Sequence, residues 1–354
     1  MRLTYFEEAD IREINALSSS ALKIMAGKTV LITGAGGFLG RYFVATFQAF
    51  NKTSALAINM IALDNHITSS QLDRNDGRRT DPNIEWIYGD ARVGAELPDR
   101  IDYVIHAAGI ASPEHYQANP LETIEVAVNA TKSLLEKALK CQSRFLYFSS
   151  SEIYGDPDTS FIPTKEDYRG NVSCRGPRAC YDESKRLGET LCWIFETYYN
   201  LHVSVVRPFN VYGPGMMPKD YRVMPNFAGS WLAGETLKVY GRGNQTRTFC
   251  YVTDAITAFL KILVEGSKPD VYNVGNPSPE ISIYDLAELT KRQIDPKIEI
   301  KIIDYPSAYP KDDPTRRCPD IAKLRNDFGF TPRVSLEDGI ERFFEWARKN
   351  YPLS

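Results

Sequence analysis

The stretch from Lys28 to Gly40 constrains this 354-residue chain more than any other. KTVLIT, Lys28 to Thr33, is a short apolar run that leads directly into Gly34, Gly37 and Gly40 at a GxxGxxG spacing. An apolar run of this length, closed by glycines, has the pattern of a strand buried on both faces. Such strands belong in parallel sheets covered by helices. The glycines make a turn in which a Cβ would block close approach of the backbone to a phosphate group. The helix expected next, over residues 39–50, points its free N–H groups and the positive end of its dipole at that turn.

The alternation continues downstream. Strands are expected over 59–63, 84–88, 103–107, 144–148 and 202–206, with helices over 120–139 and 181–199. This order predicts an α/β fold, a doubly wound parallel sheet of the Rossmann type. After Arg207, proline and glycine become frequent, at Pro208, Gly213, Pro214, Gly215, Pro218 and Pro225, and again between Tyr305 and Pro319. Residues 208–244 and 276–354 are therefore expected to build a smaller α/β substrate-binding lobe. It is interleaved with the main domain of 27–207, to which a segment of about 245–275 returns, with 254–263 as a covering helix. Residues 1–26 read as an N-terminal helical extension that packs on the domain through Leu22, Ile24 and Met25.

A formal net charge of −3 leaves no basic field to hold nucleic acid. The cysteines at 141, 174, 180, 192, 250 and 318 form no CxxC pair, and no His/Cys cluster has zinc spacing, so free thiols and no metal are expected. No apolar run approaches the ~20 residues that span a bilayer. The acidic, polar start does not read as a signal peptide. The expected location is cytoplasmic, with no membrane partner.

Asp64 follows Gly40 by 24 residues and closes the second strand. A carboxylate there accepts ribose hydroxyls and repels a 2′-phosphate, which favours NAD over NADP. Asp90 ends the third strand, where adenine is expected. Tyr181 and Lys185 have the spacing YxxxK, which puts both on one helical face. They follow Ser149–Ser150–Ser151 at the carboxyl end of the fifth strand, where open α/β sheets bind ligands. An ammonium near the phenol, with a nicotinium charge, is expected to favour the phenolate, which then serves as a base. His106 reads as a packed, hydrogen-bonded histidine, and His115 is given no role. Arg242 reads as a solvated loop residue.

Together these elements resemble the extended short-chain dehydrogenase/reductases, the NAD-dependent epimerase/dehydratase family, from about Lys28 to Trp346. Several stretches look like the UDP-glucuronate decarboxylase (UDP-xylose synthase) group. They are HAAGIASPEHYQANPLETI from His106, SSSEIYGDP from Ser149, GNVSCRGPRACYDESKR from Gly170, FNVYGPGM from Phe209, GRGNQTRTFCYVTD from Gly241, YNVGNPSPEIS from Tyr272 and DDPTRRCPDIAK from Asp312. The resemblance implies that Gly34, Gly37, Phe38, Leu39, Gly40, Asp64, Asn65, Asp90, Ala91, Ala107 and Ala108 line the NAD site with Tyr181 and Lys185. It implies Tyr181 as base, Lys185 as its partner, Ser150 on the reacting hydroxyl, and Ser151 and Glu152 beside the sugar carboxyl. Asn210, Tyr212 and Arg247 would hold a UDP-sugar, and Arg317 would reach into the active site. The chain departs from the usual pattern at Cys174, Arg175, Gly215 and Cys250.

The implied reaction oxidises C4 of UDP-glucuronate, loses CO2 from the β-keto acid and re-reduces the ketone to UDP-xylose. A UDP-sugar 4-epimerase, a nucleotide-sugar 4,6-dehydratase and a non-catalytic NAD-binding regulatory protein are the alternatives. The resemblance also implies a homodimer built through a four-helix bundle of the 120–139 and 181–199 helices.

Overall fold

The computed structural model describes residues 4–68, 81–92, 96–218, 222–305 and 314–351. Asp312 and Asp313, and most of the proline-rich stretch after Tyr305, lie outside the described residues.

Seven strands form a parallel sheet: β1 (Thr29–Thr33), β2 (Asn59–Asp64), β3 (Ile84–Tyr88), β4 (Tyr103–His106), β5 (Arg144–Phe148), β6 (Val203–Pro208) and β7 (Val271–Val274). Their order across the sheet is β7-β6-β5-β4-β1-β2-β3. Alternate side chains of each strand feed two separate cores, because successive Cβ atoms point to opposite faces. Val30, Ile32, Ala62, Ile105 and Leu146 pack with the helices Phe38–Asn51 and Val252–Glu265. Leu31, Ile61, Val104, Phe145 and Val205 pack with Leu134, Leu135 and Ala138 of Thr131–Cys141 and with Cys192 and Phe195 of Ala179–Tyr199. Both faces are thus covered, which explains why the strands are apolar runs. The strand order reverses between β1 and β4, and the crevice outside their carboxyl ends is the ligand position of such sheets.

The helix expected over 120–139 is broken into Pro120–Glu125, a π turn at Val126–Ala130 and Thr131–Cys141. The π turn lies against Gly188 of the Ala179–Tyr199 helix, where a Cβ would come within 2.9 Å of the Ala127 carbonyl oxygen. The N-terminal extension forms Glu8–Leu17 and Ser19–Met25. Leu22 and Met25 are fully buried, but Ile24 is 52% exposed, because the buried face of the short helix runs through Ala21, Leu22 and Met25. The Trp346 Nε1–H donates to the Thr4 carbonyl, so the extension is tied to the Leu336–Asn350 helix.

Beyond β6, short strand pairs organise the chain. Val211–Tyr212 pairs with Cys250–Tyr251, and Leu237–Tyr240 pairs with Ile300–Ile303. Thr246–Arg247 lies between Ile281–Ser282 and Arg316–Arg317. This last ribbon brings Arg317 into register with Arg247 beside the main sheet.

Candidate active site

The glycine turn after β1 presses on the chain leaving β4. A Cβ on Gly34, whose φ is +70°, would lie 2.7 Å from the Ala108 nitrogen, and one on Gly40 would lie 2.1 Å from the Gly34 carbonyl oxygen. The turn is therefore closed by backbone packing at the reversal of strand order. Asp64 is held beside it: its Oδ2 accepts the Gly36 N–H at 2.8 Å and its Oδ1 accepts the His66 N–H at 2.7 Å. Phe38 meets Tyr42 edge to face at 5.9 Å, and Leu39 is half-buried against the same core. Ala107 packs on that core and Ala91 on the other one.

At the end of β3 the Asp90 carboxylate accepts Arg92 Nε and Nη2, the latter at 2.7 Å, and Asn65 Nδ2 at 3.1 Å. These hydrogen bonds, Arg92 foremost, hold its carboxyl below the usual carboxylate range. Arg92 also reaches Glu125 at 2.7 Å. His106 is packed as expected, between the Thr33 and Thr131 hydroxyls at 2.7 and 3.0 Å. Burial pushes its pKa down to about 3, so the ring stays neutral.

Tyr181 and Lys185 lie in the first turns of the Ala179–Tyr199 helix, both buried. The Lys185 ammonium donates to the Phe148 carbonyl at 2.6 Å and stands 5.9 Å from the Tyr181 ring centroid. Burial pushes Tyr181 up to about 12, opposed by a hydrogen bond with Ser150, and pushes Lys185 down to about 8. In the chain without a dinucleotide, desolvation thus outweighs the ammonium at this separation. The Tyr116 ring stacks on Tyr181 at 5.4 Å with an interplanar angle of 12°. Ser150 caps the short helix Ser151–Tyr154, its Oγ accepting the Glu152 N–H at 3.2 Å, and that cap aims Glu152. Ser151 itself is buried.

Glu152 is the meeting point of the charged groups. Its Oε2 accepts Arg317 Nη2 at 2.6 Å and also Arg178 Nη2. Arg178 Nε stands 3.4 Å from Asp182 Oδ2. Asn210, at φ +41°, donates its side-chain N–H to the Thr248 carbonyl at 2.7 Å, which sets it beside Arg247. Arg247 is buried and donates to the Thr246 carbonyl. The structure thus brings together Ser150, Glu152, Tyr181, Lys185 and Arg317, with Arg247 on the adjoining ribbon and Asn210 tied to it through Thr248.

Tyr212 does not join them. Its ring is buried against Phe249, Tyr251 and Phe343, and its hydroxyl faces the Leu336 carbonyl at 3.4 Å, so it is a core residue and not a substrate contact. Cys250 is likewise buried in the core. Gly215, at φ +99°, has the Tyr5 carbonyl oxygen 2.6 Å from where a Cβ would stand, so the extension occupies the space that a larger residue would need. Cys174 and Arg175 are exposed. Sequence reasoning did not single out Arg92, Tyr116, Arg178 or Asp182. The i, i+4 spacing of Arg178 and Asp182 around Tyr181 was the available signal. All six cysteines are free, and among the described residues no helix is long and apolar enough to cross a membrane.

Comparison with known proteins places these features. Residues 30–275 match the model of the NAD dependent epimerase/dehydratase family. UDP-glucuronic acid decarboxylase 5 of Arabidopsis thaliana is 38% identical over 311 residues, 88% of this chain and 86% of that protein. UDP-glucuronic acid decarboxylase 1 of Xenopus tropicalis is 36% identical over 91% of this chain and 72% of its own length. Among solved structures, a dTDP-glucose 4,6-dehydratase of Streptomyces venezuelae with NAD and TYD bound superposes with a TM-score of 0.77. It is 26% identical, over 91% of this chain and 97% of that one.

Proposed function

The chain belongs to the NAD dependent epimerase/dehydratase family, and on that premise we propose that it is an NAD-dependent sugar-nucleotide decarboxylase that converts UDP-glucuronate to UDP-xylose. The observation that carries this reading is the Arg317–Glu152 pair at 2.6 Å beside Tyr181. An arginine delivered from 165 residues away into a buried site is the planar, bidentate partner that a substrate carboxylate requires. The similarity to decarboxylases of plants and a vertebrate supports the same substrate.

The turn of Gly34, Gly37 and Gly40 fits a dinucleotide, because backbone packing leaves no room for side chains at Gly34 and Gly40, Gly37 stands bare at its mouth, and the helix from Phe38 opens toward it. Asp64 and Asn65 would hold the ribose, Asp90 and Ala91 the adenine, with Phe38, Leu39, Ala107 and Ala108 lining the path. NAD held there would supply a hydride acceptor for C4 oxidation and a hydride donor for the return step.

The residues divide the remaining work. The Tyr181 phenol, raised to about 12 without ligands, needs the added positive charge of the oxidised cofactor before it releases its proton. Lys185 supports that ionisation from the same helical face. Tyr181 then takes the C4 hydroxyl proton, and Ser150 holds the oxygen. In the 4-keto acid the C5–C6 electrons flow into the carbonyl and CO2 leaves. Ser150 and protonated Tyr181 stabilise the enolate oxygen. Arg317 orients the carboxylate, Glu152 keeps Arg317 in place, Ser151 supports the loop that carries Glu152, and Asn210 and Arg247 hold the nucleotide. The main domain of 27–207 with 245–275 supplies the cofactor half, and 208–244 with 276–354 the sugar-nucleotide half.

We further propose a cytoplasmic homodimer. Ile124, Leu187 and Trp193 are exposed on the two helices expected to form the bundle, Trp193 at 53%. Incubating purified protein with NAD and carboxyl-labelled UDP-glucuronate is expected to release labelled CO2. Formation of UDP-galacturonate without gas would assign the chain to the epimerases instead.

A further inference from the structure

The cluster beside Tyr181 contains Glu152, Arg178, Asp182 and Arg317, two carboxylates facing two guanidiniums. Asp182 has no part in the reaction described so far. It follows Tyr181 directly on the helix and is buried, with Oδ2 3.4 Å from Arg178 Nε. Its Oδ1 is also buried and has no hydrogen-bond partner among the described residues. A carboxylate satisfied on one side only is costly to keep ionised in such a place.

The groups that face Asp182 come from every side. Glu152 lies on the Ser151–Tyr154 helix, Arg317 on the ribbon, Arg178 just ahead of the catalytic helix and Tyr116 on Pro113–Ala118, with Cys180 and Tyr181 adjacent in the chain. Burial first, and then the Glu152 charge, push the Asp182 carboxyl up to about 7, while the two arginines pull it down.

The chemistry of decarboxylation sets a demand on this cluster. The C5–C6 bond breaks, its electron pair enters the C4 carbonyl, CO2 leaves uncharged, and a new C5–H bond forms. The hydride and the C4 hydroxyl proton both return to the sugar. One further proton is consumed, so a carboxylate and a proton become CO2 and a C–H bond. The incoming carboxylate also sets three negative groups against two guanidiniums.

We propose that Asp182 is a positioning residue that takes up a solvent proton as the substrate carboxylate docks, leaving Arg178 on Glu152 and freeing Arg317 for the substrate. The proton that decarboxylation consumes is then in the site before the C–C bond breaks. With Asp182 neutral, Glu152 and the substrate carboxylate balance the two arginines. This proposal rests on the decarboxylase reading.

The test is titration calorimetry of the NAD-loaded full chain at pH 8, in buffers of differing ionisation enthalpy. The Tyr181→Phe background holds the substrate unreacted. UDP-glucuronate binding is expected to take up as much as about 0.9 proton per site, the ionised fraction of a group titrating near 7. At pH 5.5 the uptake falls close to zero, as it does at pH 8 with UDP-glucose, which lacks the carboxylate. Adding Asp182→Asn abolishes the uptake and Asp182→Glu restores it. Equal uptake with UDP-glucose, or uptake unchanged by Asp182→Asn, overturns the proposal, and the wild-type comparison of the two sugars stands whether or not a variant folds. Absence of CO2 release by the wild-type chain sinks the decarboxylase reading; CO2 release without proton uptake sinks this one alone.

Discussion

Gly37→Ala and Gly40→Ala sit three residues apart in the same turn, yet they should fail in different ways. Gly37 has φ −75° and ψ 174°, a conformation alanine adopts freely. A Cβ there meets only the Gly34 carbonyl oxygen, at 3.2 Å. The folded chain tolerates it, and loss of a glycine N-cap costs under ~1 kcal/mol. The new methyl nonetheless stands at the mouth of the turn, where the pyrophosphate is expected. At Gly40 the Cβ would lie 2.1 Å from the Gly34 oxygen and 2.8 Å from Ala35 Cα, all backbone atoms. The helix must retreat by about 1 Å to restore ordinary contact, an overpacking cost of ~1–3 kcal/mol. At ~2–4 °C per kcal/mol, that lowers the melting temperature by roughly 2–12 °C. Thermal melts without NAD and calorimetry with NAD separate the two. Gly37→Ala should melt within about 2 °C of the parent and bind NAD at least about tenfold more weakly, a loss of ~1.4 kcal/mol. Gly40→Ala should melt lower before any cofactor is added. If Gly37→Ala kept full NAD affinity, the turn would not be the pyrophosphate cradle.

The remaining predictions concern charge and assembly. Lys185, lowered to about 8 by burial, is charged below that pH and neutral above it, so kcat should fall as pH rises through about 8. A pH–rate profile checks this, and a flat profile to pH 10 would remove Lys185 from phenol ionisation. Asp10 is buried under Tyr251 and Arg342, and desolvation raises it from 3.8 to about 6. A folded-state pKa raised this way contributes stability below the unfolded value, and that contribution is lost as pH climbs through 6. Asp10→Asn should therefore raise the unfolding free energy at pH 7 by up to about 3 kcal/mol, read in denaturant melts, and leave it little changed at pH 4. Trp193→Glu places a charge on the exposed helical face and should yield a monomeric mass by light scattering; an unchanged dimer would locate the interface elsewhere.

What was legible in the sequence follows from which causes are local. KTVLIT reads as a central strand because burial on both faces forces the middle of β1, Val30, Leu31 and Ile32, to be apolar, and that is visible in a run of six letters. The place of Asp64 is readable because it depends only on closing β2 beside the turn. Tyr212 misled because adjacency to a motif does not say which way a side chain points. Both residues of its two-residue strand are buried, and its neighbour in register is Tyr251, distant in the sequence but with its ring 5.6 Å away in space. The strength of the burial around Tyr181 was hidden for a related reason. YxxxK spacing guarantees a shared face, whereas the balance between a 5.9 Å ammonium and complete burial is set by everything packed around the helix. Arg178 and Asp182 bracket Tyr181 at helical spacing, but that spacing alone is a weak mark, since an i, i+4 arginine–aspartate pair is usually a solvated one. Only the arrival of Glu152 and Arg317 from distant segments turns that ordinary pair into half of a buried four-charge cluster. The chemistry is therefore written in pieces, each unremarkable alone, and the sheet that the apolar runs dictate is what brings their charges to one point.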